Sequence, residues 1–136
     1  MSGDGARLFS GRWNEAGVAM VYTATSLALA AMEMFVHLDP SVAPDDLLAV
    51  EIAAPDDLAV EEVGLSSLPK RWRATEVETA ELGTAWVRSG RTVMLRVPSA
   101  VVEGEWNALL NPAHADFARI AVVLSAPFHF DERMFR

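Results

Sequence analysis

One stretch constrains this chain more than any other. Ser26-Leu27-Ala28-Leu29-Ala30-Ala31-Met32-Glu33-Met34-Phe35-Val36-His37-Leu38 contains a single carboxylate, Glu33, and no other acidic or basic group apart from His37. Read as a helix, the segment is apolar on every side, and such helices are normally buried. A glutamate is almost never fully buried unless something pairs with it, because losing hydration without a partner costs on the order of several kcal/mol or forces protonation. The chain must therefore either give Glu33 a structural partner or set it in the wall of a site.

With 136 residues, 51% of them hydrophobic, the chain is long enough for one domain with a real core, spanning residues 1–136. A net charge of −8 repels phosphate backbones, so nucleic acid is not an expected direct partner. With no cysteine there is no disulfide framework, thiolate nucleophile or Cys-based zinc site. The apolar run around Glu33 covers about 13 residues where a membrane span needs roughly 20. Met1 to Arg7 lacks the apolar core of a signal peptide. A soluble cytoplasmic protein with no membrane partner is the expectation.

Along the chain, residues 1–17 are rich in glycine and polar groups and read as a loop. Val18 to Thr23 reads as a strand, and Thr25 or Ser26 can cap the Glu33 helix, which Pro40 and Pro44 close. Leu47 to Ala53 and Leu58 to Val63 are strand candidates, with Pro55-Asp56-Asp57 turning between them. Thr75 to Ser89 has helical spacing and Gly90 is a good stop. Thr92 to Val97 is a strand broken by Pro98, and Asn107 to His114 is a turn region. Ala118 to Leu124 reads as a buried strand, with Phe128 to Phe130 continuing the sheet. Strands and helices mix without a regular βαβ rhythm, which predicts an α+β class.

Five groups of residues are candidates for chemistry. Gly11-Arg12-Trp13-Asn14 joins a guanidinium, an indole and an amide, and arginine suits bidentate recognition of phosphate or carboxylate, although a surface arginine beside a core tryptophan is the plainer reading. Tyr22, the only tyrosine, lies on the strand leading into the Glu33 helix. Glu33 and His37 are four residues apart and share a helix face, as a buried ion pair would. As a metal site the pair is weak: the other histidines are His114 and His129, and no His-Glu-x-x-His occurs, so no metal is expected. Ser99 follows Val97-Pro98 at a strand end, outside any Gly-x-Ser-x-Gly elbow, so a positioning or turn serine is more plausible than a nucleophile. In Glu105 to Asp116, a turn packed by its own hydrogen bonds accounts for His114 and Asp116, and Asn111 before Pro112 is held to an extended or turn conformation.

Taken in order, Gly11-Arg12-Trp13-Asn14, Tyr22, Glu33, Val97-Pro98-Ser99 and Leu109-Leu110-Asn111-Pro112-Ala113-His114 resemble the RES domain family, named for an arginine, a glutamate and a serine. Phe128 to Arg133 resembles the family's closing Phe-x-Phe-Asp-x-Arg. Family members usually carry an opening strand before the Gly-bearing loop, and this chain starts at that loop, so a trimmed start or a short variant is expected. Ser10 stands where the family often has glycine.

The resemblance implies a compact mixed fold similar to ADP-ribosyltransferases. It also implies a bacterial toxin that consumes NAD as a substrate, not as a recycled cofactor, and an Xre-type antitoxin partner, in a homodimer or a toxin–antitoxin hetero-oligomer. In that reading Glu33 stabilises positive charge on the ribose as nicotinamide leaves, which is the oxocarbenium logic of glycoside cleavage. Arg12 would hold the pyrophosphate and pair with Glu33, Tyr22 would stack on nicotinamide, and Ser99 would orient the ribose or the nicotinamide amide. Trp13, His37 and Asn111 would complete the NAD site. No Gly-x-Gly-x-x-Gly is present, as a substrate role for NAD requires no Rossmann loop. The acceptor would be phosphate or water, alternatively a protein. A third reading is a binding module that keeps the fold without activity.

Overall fold

The structure is a computed structural model describing residues 1–136. A short helix α1 (Asp4–Leu8) precedes strand β1 (Val21–Ala24) and helix α2 (Leu27–Phe35). Strands β2 (Leu48–Ala53) and β3 (Val60–Glu62) follow, then helix α3 (Val77–Ser89) and strands β4 (Met94–Pro98), β5 (Trp106–Leu110) and β6 (Ala121–Pro127). The mixture of helices with two separate sheets is α+β, as the sequence predicts.

The main sheet has the order β1-β5-β4-β3. β5 is antiparallel to both β1 and β4, whereas β3 and β4 run parallel and are joined through α3. Three tryptophans, Trp13, Trp72 and Trp86, pack with Met20, Leu95, Val97 and Leu109 in the larger core cluster. α3 lies against the residue 11–14 loop so closely that a Cβ on Gly83 would sit 1.8 Å from the Trp13 carbonyl oxygen. A backbone approach of that kind requires glycine. Gly90, at φ 63°, ends α3 in the left-handed conformation that glycine adopts without penalty.

Ser26 caps α2, its hydroxyl accepting from the Leu29 N–H at 3.1 Å. The helix is not enclosed on all sides. Leu29 is its one buried residue, while Leu27, Met32, Met34 and Val36 are exposed. The reason is that α2 packs mainly on β1 and has no second layer over its outer face. No helix is long and apolar enough to cross a membrane.

Other expectations are corrected. The N-terminal loop contains α1. The region expected to turn from Asn107 onward begins with β5, an inner strand of the main sheet. Two partner strands satisfy its backbone, and that long-range pairing overrides the weak strand preference of asparagine and alanine. β6 is not buried: it pairs with β2 in a two-stranded ribbon and leaves Val122, Val123 and Leu124 half exposed. A short apolar run does not say whether both its faces will be covered. Beyond β6 the pairing continues by a single backbone bond, Phe128 N–H to the Leu47 carbonyl at 2.9 Å, and His129 and Phe130 lie outside the sheet. Phe130 instead packs on Phe35, Phe128 and Phe135, with ring centroids 5.1 to 6.0 Å apart.

Candidate active site

α2 directs Ala30, Glu33 and Met34, and the turn after it His37, into a cleft of about 750 Å³. The i, i+3, i+4 spacing of Ala30, Glu33 and Met34 is one helical face. Gly11, Arg12 and Trp13 of the N-terminal loop, Tyr22 of β1 and Asn107 of β5 line the same cleft, with Glu76 among the remaining wall residues. The volume lies in the range that holds cofactor-sized ligands. No group of His, Cys, Asp or Glu is arranged to hold a metal ion.

Glu33 meets two donors on a single oxygen. Ser99 Oγ donates to Glu33 Oε1 at 2.5 Å, and Asn107 Nδ2 donates to the same atom at 2.7 Å. The Ser99 hydroxyl is saturated, because its oxygen also accepts from the Val101 and Val102 N–H groups at 3.1 and 3.0 Å. With one proton and two lone pairs, it has nothing left to offer a ligand. Ser99 is 1% exposed and acts on the cleft through Glu33. The expected direct contact between Ser99 and a ribose or amide therefore gives way to a contact with the carboxylate. Arg12 does not pair with Glu33 either.

Arg12 instead binds backbone. Nη1 donates to the carbonyls of Trp72 and Thr75 at 2.8 and 3.2 Å, and Nη2 to that of Arg73 at 3.1 Å. Its guanidinium lies 5.6 Å from the Trp72 ring centroid, and its only carboxylate neighbour is Glu76, at 3.9 Å. Arg12 thus ties the Gly11–Asn14 loop to the chain leading into α3 while its side chain still borders the cleft.

Tyr22 has two ends in different environments. Its residue is 45% exposed because the ring faces the cleft. The hydroxyl is enclosed, donating to Asn14 Oδ1 at 2.5 Å and accepting from the Trp13 N–H at 3.1 Å. Burial pushes its pKa up to about 12, with Glu76 adding to the rise and the Trp13 hydrogen bond opposing it. The tyrosine is neutral at physiological pH. Gly11 permits this arrangement: a Cβ there would lie 2.8 Å from Asn14 Oδ1 and 2.9 Å from the Tyr22 hydroxyl.

Arg12, Trp13, Tyr22, Glu33 and His37 therefore converge on one cleft, with Ser99 directly behind Glu33. Asn111 is not brought there. It is buried in the turn after β5, donating to the Val87 carbonyl at 3.1 Å and accepting from the Ala113 N–H at 3.0 Å. His114 likewise closes a turn, its Nδ1 accepting from the Asp116 N–H at 3.0 Å. Two asparagines carry more than their motifs indicate. Asn14, fully buried, donates to the carbonyls of Ala6, Phe9 and Glu15 and so holds the N-terminal loop against Tyr22. Asn107 was concealed by the turn-like reading of its neighbourhood; the one local signal for it is a polar residue between Trp106 and the apolar Ala108-Leu109-Leu110.

The family model for the RES domain matches residues 1–131. The chain belongs to the RES domain family. Among relatives, it is 43% identical over 140 residues to a protein of Sphingobium sp. (strain YBL2) named Prs ADP-ribosylating toxin, covering all of this chain and 87% of that protein. It is 35% identical to a protein of Photorhabdus laumondii subsp. laumondii named Toxin Res, with 98% of this chain and 86% of that protein covered. The solved M. tuberculosis MbcT–MbcA toxin–antitoxin complex contains a chain of similar fold, with a TM-score of 0.70 at 16% identity, covering 99% of this chain and 79% of that one. In this chain Arg12 is a loop anchor, Glu33 a cleft carboxylate and Ser99 the hydroxyl behind that carboxylate.

Proposed function

We propose that this chain is the toxin of a bacterial toxin–antitoxin pair and that it cleaves the nicotinamide–ribose bond of NAD. The observation that carries the proposal is Glu33: a carboxylate held by two donors in the wall of an apolar-sided cleft, on the same wall system as the Tyr22 ring. As the C1′–N bond breaks, its electron pair leaves with nicotinamide and positive charge builds on the ribose ring. A carboxylate already fixed by two donors stabilises that charge better than one free to reorient in water. The open Tyr22 ring offers a stacking face for the nicotinamide. Trp13 and His37 border the remaining space, and Arg12 contributes positive potential near the pyrophosphate while its donors stay on backbone carbonyls.

In the first reading the acceptor at C1′ is phosphate or water, which loses a proton on attack. The name of the Sphingobium relative favours a second reading, transfer of ADP-ribose to a protein. NAD is in both cases a consumed substrate. The toxin names of the relatives, and the antitoxin in the complex of the fold neighbour, support an antitoxin partner here, of Xre type by the family resemblance.

Incubating the protein with NAD labelled in the ADP-ribose moiety, with and without phosphate, and following nicotinamide release tests the proposal. Release only with phosphate selects the phosphorylase, release without it the glycohydrolase, and label on a protein the transferase. No nicotinamide release and no transfer of label, in any arm including one with cell extract, would sink the enzyme reading.

A further inference from the structure

Glu33 has two oxygens, and both protein donors address Oε1. Ser99 supplies one of them from a rigid position, being held by two backbone N–H groups of the following turn. The other comes from β5, the strand between β1 and β4, where Asn107 pairs across to Ala24 on one side and Val97 on the other. Each donor approaches from a fixed backbone, while Glu33 itself sits on a helix with little covering it.

Asn107 is also an expensive residue at this place. Its Oδ1 is buried with no hydrogen-bond partner. Leaving a buried acceptor unsatisfied costs on the order of 1–3 kcal/mol. The amide cannot be turned to relieve this, because the flip would set Oδ1 against the Glu33 carboxylate. Packing alone would be served better by an apolar side chain of similar volume, so the Nδ2 donor is the reason for an amide here.

We infer that Asn107 is a positioning residue for Glu33: with Ser99 it pins one carboxylate oxygen, fixing the side chain's rotamer and leaving Oε2 as the oxygen presented to the substrate. Charge-assisted hydrogen bonds are about twice as strong as neutral ones, so two of them on one atom define its position tightly. A helix-borne glutamate otherwise samples several rotamers. The catalytic meaning of this device rests on the proposed NAD cleavage; the pinning itself does not.

Two variants test it. In Asn107→Leu the donor and the orphaned acceptor disappear together. In Asn107→Asp the volume is kept and the donor becomes an acceptor. Both are expected to lower kcat for nicotinamide release by about 10- to 100-fold, the loss that follows from removing one hydrogen bond to a charged group, with KM changed less than threefold. A packing role would spare folded Asn107→Leu, which keeps the side-chain volume, whereas Asn107→Asp sets a second carboxylate against Glu33. Unchanged kcat in folded Asn107→Leu would overturn the inference. Independently of turnover, side-chain NMR of Glu33 is expected to show one rotamer in the parent chain and averaging in Asn107→Leu; a single rotamer in both would overturn it as well. If the parent chain releases no nicotinamide but the rotamer result holds, the proposed reaction fails and the pinning stands.

Discussion

Ser99 donates its only hydroxyl proton to Glu33 Oε1 at 2.5 Å, across a sequence separation of 66 residues. The contact joins the end of β4 to the middle of α2 and makes Ser99 and Glu33 one unit. Ser99→Ala is expected to remove that donor and to strand the Val101 and Val102 N–H groups. Stability should fall by about 1–3 kcal/mol, and kcat by about 10- to 100-fold with KM little altered. Urea unfolding and steady-state assays measure both; a variant as active as the parent would contradict the role assigned to Ser99.

Glu33→Gln tests the carboxylate itself. The amide keeps the side chain's shape and can still accept from Ser99 and Asn107 through its oxygen, so folding should be little affected. Loss of the negative charge should lower nicotinamide release by at least about 100-fold, since a preorganised charge in an active site contributes roughly that much or more. Turnover within tenfold of the parent would exclude the proposed mechanism.

Because Tyr22 is the only tyrosine, absorbance at 295 nm during alkaline titration reports on it alone. Folded protein should titrate near pH 12, against about 10 for the same chain in denaturant. The sign follows from linkage: a raised folded pKa means that the unfolded chain releases the proton first. The stability contribution is complete below about pH 10 and is lost as pH rises through the folded value near 12. A folded-state midpoint near 10 would show that the hydroxyl is not enclosed.

Gly83→Ala should be among the most damaging single-methyl changes in the chain. The added Cβ would fall 1.8 Å from a backbone oxygen of Trp13, and neither backbone can yield without separating α3 from the loop that carries Arg12. A loss of about 3 kcal/mol or more is expected, at the upper end for overpacking. Thermal unfolding decides it, and a loss below about 1 kcal/mol would mean that the two segments move apart easily.

Arg12→Lys should destabilise as well as slow turnover. Lysine's three donors sit on one nitrogen and cannot span the carbonyls of Trp72, Arg73 and Thr75 as the two Nη atoms of the guanidinium do. A loss of about 1–3 kcal/mol is expected from the carbonyls left unpaired. Full stability with raised KM alone would return Arg12 to the role of a simple ligand contact.

Much of this protein was legible in order along the chain. The capping serine, the α3 helix with its glycine stop and the ordered motifs of the family are local features, set by backbone preference or by short-range spacing. The oddity of Glu33 was legible too, since a lone carboxylate in an apolar run demands a partner. The identity of the partner was not. Arg12 was the reasonable electrostatic choice, yet it is satisfied by three carbonyls 60 or more residues away. Asn107 went unrecognised because its strand is made by pairing with β1 and β4, not by its own residues.

The sequence by itself determined the α+β class and the family and singled out Glu33, Tyr22 and Ser99, because these depend on residue type, order and local periodicity. Only the tertiary structure decided which of them touch. Hydrogen bonds form between groups within about 3 Å, whatever their separation along the chain, and that proximity is a property of the folded sheet and helices. It placed Ser99 and Asn107 on one oxygen of Glu33, moved Arg12 to a backbone anchor and left Asn111 in a distant turn.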